Sequence, residues 1–196
     1  MNVAVIDYNA GNIYSVIHAL ERLGINPILT NVPEKIIGSD KVIFPGQGEA
    51  SSAMAYLRER NLDRVIKELK QPILGICIGQ QLMCAHSEEG DVNCLGIFDV
   101  PVLRFQPQRH EDKVPHMGWN ALEKVKSNLF QDFKGGEYVY FVHSYYVPTC
   151  NWTVAQTEYI VPFSAALHRD NFFTTQFHPE KSGTVGEAIL QNFLKL

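Results

Sequence analysis

The sequence predicts an α/β fold, an open and largely parallel sheet flanked by helices, with additional antiparallel strands in the C-terminal half. Four short apolar runs carry the first part: Val3-Ala4-Val5-Ile6, Pro27-Ile28-Leu29, Lys41-Val42-Ile43-Phe44 and Pro72-Ile73-Leu74-Gly75-Ile76. They are continuous rather than alternating in hydrophobicity, as strands covered on both faces are, and such strands are typically parallel. Between them the apolar period lengthens. Ile13, Val16, Ile17 and Leu20 recur at helical spacing before Gly24, a helical stretch runs from about Glu49 to Lys70 with a break near Asn61, and a further helix is expected from about Gln80 to His86. Beyond residue 90 the segments 95–98, 138–141, 153–156, 164–167 and 172–177 read as strands with few helices between them, which implies antiparallel pairing there. Thr184-Val185-Gly186-Glu187 reads as a capping box opening a last helix, whose apolar face is Val185, Ala188, Ile189 and Phe193.

The chain has 196 residues, enough for one domain with a substantial core, and no internal repeat or Pro, Gly and Ser-rich linker suggests a second. Residues 1–196 are therefore expected to form a single domain. A net charge of -4, from 17 basic and 21 acidic residues, gives no electrostatic footprint for a phosphate backbone, so no nucleic-acid partner is expected. No apolar run approaches the length of a membrane span, and Met1 leads into Val3–Ile6 without a basic leader, so the expectation is a cytoplasmic protein with no membrane contact. The four cysteines form no C-x-x-C pair, which suggests neither a disulfide framework nor a metal site.

One of those cysteines stands apart. Gly75-Ile76-Cys77-Ile78-Gly79 puts Cys77 at the end of a buried strand and just before a helix, with a glycine two positions away on each side. This is the form of a nucleophile elbow, in which a sharp turn exposes the central side chain and crowds the positions at plus and minus two. A helix N-terminus there would also favour a thiolate. The plainer alternative is a buried small hydrophobe with glycines serving ordinary packing, and for Cys84, Cys94 and Cys150, which lack such flanks, that alternative is preferred.

A thiol needs a base, and of seven histidines His178 is the best placed. The run 172–177 leads into His178-Pro179-Glu180, which puts the imidazole at the end of another strand, where functional groups of open α/β sheets collect. Glu180 is two residues on, and Pro179 between them stiffens the backbone, so the carboxylate could orient the ring while its other nitrogen faces the sulfur. Without Cys77 the same tripeptide would equally read as a solvated turn.

Gly75 to Gly79 with Gln81, together with Gln176-Phe177-His178-Pro179-Glu180, resemble the two catalytic signatures of the class I (triad) glutamine amidotransferases, and the match spans nearly the whole chain. Within that family the chain resembles the glutaminase subunits of imidazole glycerol phosphate synthases. Asp7-Tyr8-Asn9-Ala10-Gly11-Asn12, Pro115-His116-Met117-Gly118-Trp119-Asn120, Phe141-Val142-His143-Ser144-Tyr145 and Lys181-Ser182 carry the narrower likeness, the second most specifically. The resemblance implies a flavodoxin-like fold, glutamine as substrate and no metal or organic cofactor. It makes Cys77, His178 and Glu180 the triad, Gln47, Gly48 and Ile78 the oxyanion hole, and Gln81, Glu89, His143 and Ser144 neighbours of bound glutamine. It also implies a heterodimer with a (βα)8-barrel cyclase subunit, which Asn12, Met117, Trp119, Asn120 and Lys181 would face. Apart from the family, Glu88-Glu89 would read as a solvated acidic pair, residues 143–145 as the end of a half-buried strand and Trp119 as a core aromatic.

Two positions depart from the family pattern. Gln47 stands where a small apolar residue, usually valine, is expected, which bears on how the oxyanion strand reorients rather than on the chemistry; Gln80 stands where methionine is common and is expected to affect packing only. Two other readings stay open from the residues alone. Gly46-x-Gly48 after a strand could belong to a nucleotide-binding module, although neither G-x-G-x-x-G nor a P-loop is present. A free-standing cysteine peptidase or γ-glutamyl hydrolase, or the glutaminase of another synthase, would use the same elbow.

Overall fold

The computed structural model describes residues 1–8, 11, 13–46 and 48–196. Asn9, Ala10, Asn12 and Gln47 lie outside the described residues, and with them one expected interface residue and one expected oxyanion-hole residue. The first half alternates as its apolar periods require: β1 (Val3–Ile6), α1 (Ile13–Arg22), β2 (Ile28–Thr30), α2 (Pro33–Ile37), β3 (Lys41–Phe44), α3 (Ala50–Glu59), α4 (Leu62–Glu68), β4 (Ile73–Ile76) and α5 (Ile78–Leu82). The second half is rich in strands: β5 (Cys84–Ser87), β6 (Val92–Asn93), β7 (Phe98–Arg104), β8 (His116–Ala121), β9 (Tyr138–His143), β10 (Tyr145–Tyr146), β11 (Thr153–Glu158), β12 (Pro162–Arg169) and β13 (Phe172–Thr175), before α6 (Gly183–Lys195).

A seven-stranded sheet in the order β11-β12-β13-β4-β3-β1-β2 organises the molecule. From β2 to β13 its neighbours pair in parallel, and β12 and β11 extend it antiparallel. The uninterrupted apolar runs follow from this placement, because alternate side chains of one strand enter different cores. Val5, Ile43 and Leu74 join Val16 and Leu20 of α1 and Ile189 and Phe193 of α6, whereas Val42, Phe44 and Ile73 join Met54 and Leu57 of α3 and Ile66 of α4. The carboxyl ends of β3, β4 and β13 thereby lie side by side.

The break expected at Asn61 is present, with φ of 56° between α3 and α4. Three local expectations are corrected. The helix expected over residues 80–86 ends at Leu82, and Cys84–Ser87 is a strand. There the carbonyls of Leu82, Met83 and Cys84 accept from the backbone N–H groups of Leu95, Ile97 and Gly96, a competing set of partners that no local period reveals. Residues 95–97 are accordingly not strand, and β7 starts at Phe98 and runs through Pro101, a residue that masks a strand in sequence. The last helix opens at Gly183 rather than through a capping box at Thr184. Ser182 precedes it, and its hydroxyl donates to the His178 carbonyl (2.7 Å) while accepting from the Tyr140 N–H (3.0 Å).

Gln80 is also more than packing. It is fully buried, its Oε1 accepts from Thr174 Oγ1 (2.7 Å) and its Nε2 donates to the Ser164 carbonyl (3.1 Å), so it ties α5 to β13 and β12.

Helix α6 presses on the turn after β13 through a glycine. A Cβ on Gly186 would lie 1.9 Å from the Pro179 carbonyl oxygen, so only glycine lets the helix approach. Gly186→Ala should therefore destabilise the protein by about 1–3 kcal/mol, as overpacking does, read as a lower urea midpoint at unchanged slope.

Candidate active site

The backbone reverses sharply at Cys77, which has φ 54° and ψ -107° between β4 and α5. That conformation is rarely held by a residue with a side chain and persists only where its surroundings enforce it. Here they do. The Cys77 N–H donates to the Thr175 carbonyl of β13 (2.7 Å); a Cβ on Gly79 would stand 2.2 Å from the Phe44 carbonyl oxygen, and one on Gly75 would stand 2.9 Å from the Gly79 backbone. The flanking glycines are thus explained by contact distances. Ile78 is the first residue of α5, so its N–H has no acceptor within the helix and remains for a ligand. The thiol opens into a cavity of about 310 Å³ lined among others by Gly48, Gln81, Glu89, Ser144 and His178.

His178 follows β13 and is anchored through its backbone, the N–H donating to the Tyr140 carbonyl (2.9 Å) and the carbonyl accepting from Ser182. Its Nδ1 lies 2.7 Å from Glu180 Oε1, with both side chains almost completely buried. A carboxylate only accepts, so the Nδ1 proton lies between them and Nε2 is left for the sulfur. Burial works against the imidazolium, but the negative charge at Cys77, and then the hydrogen bond and charge of Glu180, overcome it and push the His178 pKa up to about 10. His178 Nε2 and Glu180 Oε2 are buried with no hydrogen-bond partner among the described residues, and His178 lines the cavity.

The remaining walls are polar and directional. Gln81 Nε2 spends one proton on the Tyr145 carbonyl and the other on Gln176 Oε1, both at 3.0 Å, which leaves its Oε1 as the acceptor it can offer a ligand. Gln176 Nε2 in turn reaches Cys77 Sγ at 3.6 Å. Glu89 accepts from the Ala50 N–H with one oxygen (2.9 Å), and burial raises its pKa against that bond. Tyr8, fully buried and kept protonated by that burial and by negative charge at Cys77, donates to the Pro45 carbonyl at the start of the segment holding Gly46 and Gly48. Gly48 has φ +150°, a value that L side chains rarely adopt. A thiol at a sharp turn, an imidazole oriented by a carboxylate and the first N–H of a helix at one mouth are the parts with which a site can attack a carbonyl carbon through sulfur.

The family described as Glutamine amidotransferase class-I matches residues 4–196. The chain belongs to this family. Among similar proteins, the imidazole glycerol phosphate synthase subunit HisH of Bacteroides fragilis (strain YCH46) is 62% identical over 196 residues, covering all of both chains. The protein of the same name in Escherichia coli (strain K12) is 44% identical, again over the whole of both. Among solved structures, one described as a putative GMP synthase component from Thermoplasma acidophilum superposes with a TM-score of 0.76 at 18% identity, covering all of this chain and 92% of that one. A structure described as a glutamine amidotransferase gives the same score at 19% identity, covering 98% and 97%. At these identities the two structures speak for the fold alone.

Within this amidotransferase the expected residues fall as follows. Cys77, Gly48, Ile78, Gln81, Glu89, His143, Ser144 and His178 all line one cavity, and Glu180 stands behind His178. His143 meets it differently from the others, because both its ring nitrogens are already bonded, to His116 and to the Tyr145 carbonyl. Met117 and Trp119 project from β8 and are 64% and 56% exposed, so Trp119 is not a core aromatic; Asn120 is half-buried beside them, and Lys181 is half-buried in the turn after Glu180. Sequence reasoning gave no role to Tyr8, His116 or the carbonyl of Tyr145, and none to the side chain of Gln176 although its motif was noticed. Tyr8, His116 and Tyr145 lie in segments that carry the family likeness, but nothing local marks these contacts, since their partners are 27 or more residues away or belong to the main chain. No helix of the described residues is long and apolar enough to cross a membrane.

The charge balance at His178 is testable. Because its pKa is raised, the intact site holds the imidazolium from neutral pH up to about 10. Cys77→Ala removes the leading stabilising charge and leaves burial opposed only by Glu180, so the His178 ring nitrogens, followed by NMR, should titrate at clearly lower pH than in the unmodified chain.

Proposed function

We propose that this chain hydrolyses the side-chain amide of glutamine and passes the ammonia to a separate (βα)8-barrel cyclase subunit in a heterodimer. The cyclase would combine ammonia with a phosphoribulosyl-formimino carboxamide ribotide to give imidazole glycerol phosphate and an aminoimidazole carboxamide ribotide, a step of histidine biosynthesis in the cytoplasm. The observation that carries the reading is the buried Glu180–His178 pair aimed at a thiol held at positive φ. The likeness over full length to the named HisH subunits supports the choice of pathway.

In this reading the Cys77 thiolate adds to the amide carbon, and the oxyanion is received by the Ile78 N–H and the main chain of Gln47 and Gly48. His178 gives its Nε2 proton to the departing nitrogen, and ammonia leaves as the carbonyl re-forms in a γ-glutamyl thioester. A water then loses a proton to His178 and attacks the thioester, releasing glutamate and restoring the thiolate. Glu89 and the Gln81 oxygen are acceptors suited to the α-ammonium of the substrate, and Ser144 adds a hydroxyl to the same wall. The residues 1–196 act as one amidotransferase domain, and Met117, Trp119, Asn120 and Lys181 meet the barrel, as would Asn12, which lies outside the described residues. Exposed Met117 and Trp119 on one strand are the kind of apolar anchors that such interfaces use.

The deciding experiment mixes the chain with the cyclase and measures glutamate release with and without the cyclase's ligand. Turnover should rise with both present, and Cys77→Ala should lower it on the order of 1,000-fold or more. Retained hydrolysis by Cys77→Ala would defeat the assignment of the nucleophile, and full activity of the lone chain, indifferent to the cyclase, would favour a free-standing hydrolase.

A further inference from the structure

β8 and β9 place His116 and His143 directly opposite each other in the ladder, both almost fully buried, with His116 Nδ1 lying 3.1 Å from His143 Nε2. Two imidazoles can share such a bond only if one nitrogen carries a proton and the other does not, so the remaining contacts must settle the tautomers. They do so uniquely. His143 Nδ1 is 2.7 Å from the Tyr145 carbonyl oxygen, which can only accept, so Nδ1 carries the proton and Nε2 is an acceptor. His116 Nδ1 must then be the donor to it, which leaves His116 Nε2 to accept from Asn120 Nδ2 at 3.4 Å.

Nothing around the pair loosens this order. The His116 ring is stacked between Tyr159 (4.1 Å between centroids) and Phe141 (4.9 Å), so it has no room to turn over. Burial keeps both rings neutral: it pushes His116 down to about 4, and in His143, helped by the charges of His116 and His178 and opposed by the Tyr145 carbonyl, it reaches about 3.

The chain of bonds does not stop at Tyr145. The same carbonyl accepts from Gln81 Nε2, whose second proton goes to Gln176 Oε1, and Gln176 Nε2 reaches the Cys77 sulfur. If the Tyr145 carbonyl turned, Gln81 would lose one of the two acceptors that fix which end of its amide faces the cavity. At the outer end Asn120 shares β8 with exposed Met117 and Trp119, so the pocket wall and the proposed docking face are built on one strand pair.

We propose that His116 and His143 are positioning residues for glutamine binding, a tautomer-locked pair that fixes the Tyr145 carbonyl and so holds the Gln81 oxygen toward the substrate. The proposal rests on the reading of the cavity as a glutamine site and adds to it residues that offer the substrate no ring nitrogen.

Two substitutions at His116 separate the hydrogen bond from packing. His116→Phe keeps the stacked ring and loses the donor, whereas His116→Asn places an amide nitrogen where Nδ1 was and loses the stack. Assayed with the cyclase, His116→Phe should raise the KM for glutamine roughly tenfold with a smaller change in kcat, and His116→Asn should stay closer to the unmodified value. A purely structural role predicts the reverse order. A second readout needs no variant: the 15N shifts of both rings in the unmodified chain should report the Nδ1–H tautomer. An Nε2–H ring at either position in an active enzyme, or an equal KM in the two variants, overturns the pair's role and leaves the glutaminase reading intact. Failure of the unmodified chain with its cyclase to hydrolyse glutamine overturns both.

Discussion

The approach of three backbone segments around Cys77 is the constraint on which the rest of the site depends. β4 can turn into α5 within one residue only because Gly75 and Gly79 have no Cβ, and Gly79 sits against the carbonyl of Phe44 in the neighbouring strand. Parallel pairing of β3, β4 and β13 then brings the ends of three strands to one line, with the glycine-rich segment after β3, the thiol after β4 and the imidazole after β13. The sheet supplies position, and the turn supplies exposure. Strain at Cys77 is offset by ordinary backbone bonds on either side, so the cost of an unfavourable φ is borne by the sheet as a whole.

A second constraint is electrostatic. Glu180, His178 and Cys77 occupy a place where water is nearly excluded, and isolated charges there would be heavily penalised. The arrangement answers by setting the His178 imidazole between Glu180 and Cys77, whose negative charges favour its protonated form. The direction at His178 shows which effect wins, since its pKa rises despite burial, while His116 and His143, buried with no carboxylate or thiol among the causes acting on them, fall. Histidines within one neighbourhood are thus divided into one held protonated and two held neutral by what stands against them.

Much of the first half was legible because its periods are clean. The runs at 3–6, 41–44 and 73–76 became parallel strands, and Asn61 broke the helix as its position suggested. The second half was less legible where the backbone found partners far along the chain. Residues 84–87 continue an apolar run that a helix could use, yet the loop at 95–97 claims the carbonyls of 82–84. Likewise β8 was noticed for its unusual residues and not as a strand, because Gly118 and Pro115 obscure the alternation that its pairing with β9 reveals.

Sequence by itself marked Cys77, His178 and Glu180 as candidates for a nucleophile, its base and an orienting carboxylate, because each stands out through neighbours one or two residues away: glycines at plus and minus two of Cys77, and a proline between His178 and Glu180. Only the tertiary structure decided the orientation of the pocket wall. His116 and His143 are 27 residues apart, Gln81 and Gln176 are 95 apart, and what fixes their protons and amide oxygens is a shared main-chain carbonyl at Tyr145. A hydrogen bond to main chain leaves no mark on residue type, so such positioning becomes visible only when the strands that bring the partners together are in place.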